Sequence, residues 1–310
     1  MKSFAGKFAV VTGGGSGMGR ELVRQLASEG CSVAACDVHE ATVGETANLA
    51  LADAPGGTMV TSHVCDVADE AQVLRFRDEA LAAHGAGQRG AGHVDLVFSN
   101  AGIGGAGSFL NDPREQWERV FAVDFWGVYY CARAFLPLLV KSPEGVLVNT
   151  SSVNGFWASL GPGVPHTAYS TAKFAVKGLS EALIEDLRVN APHVRVAVVM
   201  PGHVGTNIVA NSMIAFGVPE SDAFAASKAF HDTAPLSAAG AATIILDGVR
   251  AGAWRILVGQ DAHQLDDYVR ANPEGAYEYP QLAEATDQAG STLNDALTTL
   301  REATQEQPGG

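Results

Sequence analysis

Charge is scarce in this chain. Of its 310 residues only 17% are Asp, Glu, Lys or Arg, and 20 bases against 34 acids leave a net charge of −14. An acidic surface of that kind argues against nucleic acid and against anionic membrane as partners. The acid is unevenly spread, since residues 261–310 hold ten of the carboxylates and only two bases, Arg270 and Arg301. Cysteine is just as sparse: Cys31, Cys36, Cys65 and Cys131 sit in apolar surroundings with no C-x-x-C spacing among them. That pattern speaks against a disulfide framework or a zinc site and predicts buried free thiols in a reducing compartment. No H-E-x-x-H run and no carboxylate cluster suggests a metal. An uninterrupted apolar stretch of about 18 residues, the length a membrane span requires, is also missing. The opening MKSFAGKFAVVTGGG reaches glycine before an apolar run of signal-peptide length can build, so a cytoplasmic protein is expected.

Apolar residues (47%) and glycine (35 residues) are what the chain has in quantity. Short Val- and Ala-rich runs, KFAVVTG, SVAACDV, TMVTSHVCDV, HVDLVFSNAG, GVLVNTSS, VRVAVVMPG and WRILVG, alternate with longer segments of helical periodicity. Near-continuous apolar strands are what burial on both faces demands. The expected fold is therefore α/β and doubly wound, mainly a seven-stranded parallel sheet with helices on both faces. Three segments break the rhythm. GAGQRGAGH, residues 85–93, reads as a surface loop. Residues 203–238 carry Ile208, Met213, Ile214, Phe216, Phe224 and Phe230, and are too long and too apolar for an idle connection; they read as a substrate lid. Residues 262–310 read as an acidic helical extension, with helices expected over 262–271 and 292–303.

The strongest local signal is TGGGSGMG at residues 12–19, directly after one strand and directly before an amphipathic helix. Gly13, Gly17 and Gly19 remove side chains where a strand turns sharply into a helix, so that a pyrophosphate can approach the amides of the helix N-terminus. The second strand ends in Asp37, whose carboxylate can accept both hydroxyls of an adenosine ribose and would repel a 2′-phosphate. No arginine or lysine stands at Ser16, Val38 or His39 to receive that phosphate, which favours NAD over NADP. Asp66, after the third strand, is placed to accept the adenine amino group, with Val67 against the ring. Residues 1–261 thus read as one Rossmann dinucleotide-binding and catalytic domain.

With these motifs in order, the chain resembles the short-chain dehydrogenases/reductases, in their single-domain branch. The likeness spans about residues 5–260. It rests on T-G-x-x-x-G-x-G at Thr12 to Gly19, N-A-G at Asn100 to Gly102, the serine in NTSSVNG, Y-x-x-x-K at Tyr169 to Lys173, and P-G-x-V-x-T at Pro201 to Thr206. The resemblance implies hydride transfer with Tyr169 as acid and base, Lys173 one helical turn away, and Ser152 orienting the substrate oxygen. Lys173 and a nicotinamidium would both favour the phenolate form of Tyr169. Ser152 is preferred to Ser151 as the second serine of the pair. It lies 17 residues before Tyr169, where about 13 is usual in the family, so the loop between them is enlarged. Gly13, Ser16, Gly17, Met18, Gly19, Asn100, Ala101, Gly102, Tyr169, Lys173, Pro201, Gly202, Val204 and Thr206 are implied around the cofactor, Thr206 at the carboxamide.

One residue departs from the family pattern. Asp124 stands where an asparagine that holds a water for the lysine is usual; an aspartate can hold that water too, but its charge would raise the lysine pKa and oppose lowering of the tyrosine pKa. His166 either faces the substrate or closes the loop. Phe156, Trp157, Leu160, Met213, Ile214 and Phe216 are the expected pocket, which implies a hydrophobic secondary alcohol or ketone as substrate. The family commonly forms homodimers or homotetramers through residues 124–139 and 168–190. Two other readings remain: a non-catalytic NAD-binding sensor or scaffold, and a dehydratase or epimerase of the extended branch, whose glycine spacing TGGGSGMG does not match.

Overall fold

The computed structural model describes residues 1–85, 92–105, 107–160 and 164–278. Strands and helices alternate in the first half of the chain: β1 (Phe8–Thr12), α1 (Gly17–Ser28), β2 (Ser32–Asp37), α2 (Glu40–Ala52), β3 (Val60–Val64), α3 (Glu70–Gly85), β4 (Leu96–Ser99), α4 (Arg114–Phe121) and α5 (Gly127–Leu139). There follow β5 (Val146–Thr150), α6 (Thr167–Asn190), β6 (Arg195–Pro201), β7 (Val204–Gly205), α7 (Ile208–Ala215), α8 (Glu220–Asp232), β8 (Leu236–Ser237), α9 (Ala238–Ala251), β9 (Arg255–Val258) and α10 (Gln260–Ala271).

Seven strands form one sheet in the order β3-β2-β1-β4-β5-β6-β9, every pair parallel. Successive residues of a strand point to opposite faces, so both faces need apolar cover. Ala9 and Val11 pack with Leu22 and Leu26 of α1 and with Ile245 and Leu246 of α9 on one side. Val10 packs with Phe76 of α3 and Phe135 of α5 on the other. The seven expected strands and the two-faced cover are observed. All four cysteines are buried and free, and burial pushes the thiols of Cys31, Cys36 and Cys131 well above their ordinary range. Among the described residues no helix is long and apolar enough to cross a membrane.

Strand order reverses between β1 and β4, and at such a switch the connections leave in opposite directions and open a crevice beyond the strand ends. The glycine turn after β1 and Asn100 after β4 flank that crevice.

Two local features escape the sequence pattern. The segment from Arg114 to Leu139, periodic enough to read as one helix, is α4 and α5 joined by a π turn over Ala122–Trp126 that contains Asp124. The span 203–238 is not irregular: β7 and β8 pair in parallel, Val204 with Leu236, and bracket α7 and α8. The helix expected over 262–271 is α10, whereas the one expected over 292–303 and most of the 85–93 loop lie outside the described residues.

Candidate active site

The glycine turn is shaped by missing side chains. A Cβ on Gly13, which has φ +66°, would lie 2.8 Å from the Cα of Ala101. One on Gly19 would collide with the carbonyl oxygen of Gly13, and one on Gly17 would meet Thr206 at 3.2 Å. Backbone thus replaces side chains at the N-terminus of α1, whose first-turn N–H groups have no intrahelical acceptor. No acidic residue stands in that turn to compete for an anion. Thr12, which the motif carries without an assigned role, stitches the strand ends together: its Oγ1 accepts the N–H groups of Asn100 at 3.0 Å and Ala101 at 3.1 Å. Asn100 donates its Nδ2 to the Thr12 carbonyl at 3.1 Å, which leaves its Oδ1 buried without a partner.

Asp37 closes the turn from the side. Its Oδ2 accepts the Gly15 N–H at 3.0 Å and its Oδ1 the His39 N–H at 3.1 Å. Asp66 is engaged twice, by the Ala68 N–H at 3.0 Å and by Arg119 at 2.9 Å. Val67 is buried, with Gly127 of α5 giving it room, and Val204 is buried in the core. Met18 packs partly buried against the same core. Ser16 accepts a hydrogen bond from Asn211 of α7 at 3.1 Å, and Ser212 on the same helix accepts the Gly104 N–H at 2.6 Å. The 203–238 segment therefore touches both sides of the crevice.

Tyr169 and Lys173 lie one turn apart on α6, both buried, with Lys173 Nζ 5.3 Å from the centroid of the Tyr169 ring. Ser152, whose Oγ accepts the Asn154 N–H at 3.1 Å, lies close enough to the phenol to favour its ionised form. The neighbouring Ser151 is spent elsewhere, donating to the Lys173 carbonyl at 2.7 Å. Lys173 donates to the Thr150 carbonyl at 3.2 Å and stands 3.9 Å from Asp124 Oδ1, which also accepts the Ile103 N–H at 2.9 Å. Asp124 is fully buried and its Oδ2 has no partner. Gly102 lets the chain pass over this pair, since a Cβ there would meet Asp124 Oδ1 at 2.9 Å and Lys173 Nζ at 3.3 Å.

Burial dominates the charge states. It lifts the Asp124 carboxyl to about 6 against the opposing pull of Lys173 and of the Ile103 N–H. It brings Lys173 below its ordinary value although Asp124 acts the other way. Burial also pushes the Tyr169 phenol above its ordinary value, the Asp124 charge adds to that, and the Ser152 hydrogen bond opposes it. Lys173 Nζ, 5.3 Å from the ring centroid, is paired with Asp124, and burial and the Asp124 charge set the direction of the phenol's shift.

The apolar surroundings differ from expectation as well. Tyr169 packs with Ala168 and Val120, and with Ile103, Trp117, Ile208 and Phe216. Of the six expected pocket residues only Phe216 belongs to this cluster; Met213 and Ile214 are half-buried on α7 outside it, and Leu160 is half-buried. Trp157 is a correction: it packs with Leu265 and Ala276, its Nε1 donating to the Ala276 carbonyl at 2.8 Å. Phe156 packs there too, under the Arg255 guanidinium. Ile103, next to N-A-G, and Trp117 were open to notice, since both stand one step from a motif residue or on a helix known to flank it. His166 stacks on Tyr169 with centroids 4.6 Å apart, and burial lowers its imidazole to about 4, so it is neutral at physiological pH.

Comparison with known proteins agrees with this architecture. The family model for short chain dehydrogenases matches residues 7–230. A putative oxidoreductase, SadH, of Mycobacterium tuberculosis is 37% identical over 273 residues, covering 87% of this chain and 92% of that protein. The meso-2,3-butanediol dehydrogenase of Serratia marcescens is 32% identical over 256 residues, covering 79% and 94%. Among solved structures, a short-chain dehydrogenase/reductase from Burkholderia phymatum in complex with NAD superposes with a TM-score of 0.75 at 30% identity, covering 89% of this chain and 95% of that one. A glycine turn at the switch point, a buried tyrosine and lysine one helical turn apart, and these matches lead to one conclusion: the chain is an oxidoreductase of the short-chain dehydrogenase/reductase family, which binds a nicotinamide cofactor.

Proposed function

We propose that the protein is an NAD-dependent alcohol dehydrogenase or carbonyl reductase that interconverts a hydrophobic secondary alcohol and its ketone. The observation that carries this reading is the buried Tyr169 phenol, with Ser152 beside it and Lys173 Nζ over its ring, in an otherwise apolar cluster. When bound, a nicotinamide supplies the hydride acceptor or donor at its C4. The chain handles the proton. In reduction, the Tyr169 hydroxyl gives its proton to the carbonyl oxygen as hydride reaches the carbonyl carbon, and Ser152 holds that oxygen in place. In oxidation, Tyr169 takes the alcohol proton as hydride leaves the carbinol carbon. A phenol held above its ordinary pKa is protonated at neutral pH but a weaker acid, so proton transfer in either direction gains from positive charge brought near its oxygen.

The residues fit the cofactor. The side-chain-free turn at Gly13, Gly17 and Gly19 leaves room at a helix N-terminus, and the unpartnered Asn100 Oδ1 and the Asp37 carboxylate offer acceptors beside it. Asp37 supports NAD over NADP because a 2′-phosphate would meet its charge. The neighbour solved with NAD and the relative named a butanediol dehydrogenase support the same direction. Ile103, Trp117, Ile208 and Phe216 would receive the apolar part of the substrate, with the 203–238 segment as its cover. A ladder of aromatic rings, Trp117, Phe121, Phe125, Trp126 and Tyr130, runs along α4 and α5, and Trp126 and Phe174 are each 41% exposed. That apolar exposure suits a homodimer or homotetramer in the cytoplasm.

Purified protein with NAD and a panel of hydrophobic secondary alcohols should generate NADH, followed by its absorbance. Tyr169→Phe should lower turnover by about a thousandfold while NAD still binds; unchanged turnover would sink the assignment.

A further inference from the structure

The end of β6 and the end of β9 meet at two glycines. The Gly202 N–H donates to the Val258 carbonyl at 3.0 Å, and a Cβ on either Gly202 or Gly259 would run into the carboxylate of Asp261. Asp261 is buried in the first turn of α10, where the helix dipole favours a negative charge. Its Oδ2 accepts the backbone N–H of His203 at 2.6 Å. His203 carries the connection onward. Its Nε2 lies 2.7 Å from the Phe230 carbonyl, which can only accept, so Nε2 bears the hydrogen; the ring also lies tilted against Phe230, centroids 4.3 Å apart. Residues 201–206 are thus held from behind by α10 and tied to α8. The far end of the loop, Thr206, abuts Gly17, and the next helix reaches Ser16 and Gly104.

We propose that Asp261 is a positioning residue for the cofactor: its buried carboxylate fixes residues 201–206 against the nicotinamide half and, through His203, ties the C-terminal helix to the α7–α8 cover. The inference rests on the dinucleotide reading above. A loop with glycine at positions 202 and 205 has many conformations to lose on binding, and a charge-assisted hydrogen bond to its backbone removes that freedom beforehand. Asp261 touches no reacting atom. Its effect passes through the His203 amide, and displacements of about 1 Å in such a loop are enough to weaken binding by an order of magnitude or more.

The test is calorimetric binding of NADH and of ADP to the full-length protein. Asp261→Ala should weaken NADH about tenfold or more and leave ADP within about twofold, because ADP lacks the nicotinamide half. Asp261→Asn, which keeps an acceptor of the same size, should stay within about threefold for both. Asp261→Ser, too short to reach the amide, carries the same expectation as the alanine variant should that one fail to fold. Undiminished NADH binding in the alanine and serine variants, or a parallel loss of both ligands, overturns the inference and leaves the cofactor reading standing. A wild-type protein that binds neither ligand overturns the cofactor reading, and this inference with it.

Discussion

The glycine turn at residues 12–19 and the tyrosine centre around Asp124, Tyr169 and Lys173 lie at the same edge of the sheet and are built in opposite ways. The turn works by leaving side chains out: Gly13 and Gly19 bring backbone against backbone and Gly17 makes room for Thr206, while Asp37 and Arg20, the charged side chains bonded to Gly15, hold its amide and carbonyl from outside. The tyrosine centre works by burying side chains that titrate. Asp124, Tyr169 and Lys173 each sit away from water, Asp124 and Lys173 bias one another, and the Asp124 charge bears on Tyr169 as well. Substitutions in the turn should therefore fail by collision and be insensitive to pH. Those in the tyrosine centre should act through protonation and show it in a pH profile.

The sharpest break of that contrast is Gly19→Ala. The added methyl meets the Gly13 carbonyl, a backbone atom that cannot step aside, so cofactor affinity should fall on the order of a hundredfold at every pH tested. A titration of NADH binding at several pH values checks it, and a pH-dependent loss would mean the turn is not purely steric. Next is Asp37→Ser, which removes the carboxylate that accepts the Gly15 N–H of the turn. The proposed preference for NAD over NADP, read as a ratio of kcat/KM, should drop by about tenfold or more, and an unchanged ratio would take cofactor choice away from Asp37.

In the tyrosine centre the effect is smaller and its signature differs. Asp124→Asn should keep turnover within about tenfold but move the pH profile of alcohol oxidation toward acid, because the Asp124 charge is one of the causes that hold the phenol high. The stability sign follows from the same residue. The Asp124 value in the folded protein, about 6, lies above the ordinary carboxylate value, so its stabilising contribution is whole below about 4 and is lost as pH rises through about 6. Urea unfolding of the asparagine variant should lack that slope. Complete loss of turnover would instead show that the carboxylate has a further task. The smallest effect expected is Trp157→Phe, which deletes the hydrogen bond to Ala276 and should cost about 1 kcal/mol in urea unfolding with little change in turnover.

Much of the fold could be read from the chain because parallel strands buried on both faces must be apolar throughout, and seven such runs stand out. The glycine turn was legible for a related reason: a position that excludes a side chain leaves glycine as its mark. What stayed hidden depends on neighbours far away in sequence. The period of residues 114–139 shows one amphipathic helix, while the π turn that contains Asp124 does not alter that period enough to see. Trp157 looks like a pocket residue because it follows Ser152 closely, yet its partner is Ala276, which no local pattern connects to it. The same holds for Asp261, one acid among ten in the C-terminal stretch until the carboxylate is found between Gly202 and Gly259.

By itself, then, the sequence determined the layered α/β plan, the side-chain-free turn and the placing of Tyr169 and Lys173 on one face of a helix, all consequences of short-range periodicity and steric exclusion. Tertiary structure alone decided which charges are buried together, which serine of the pair reaches the phenol, and which apolar rings face Tyr169 rather than the C-terminal helix. Burial is a property of the whole packing, and so are the proton affinities that burial shifts.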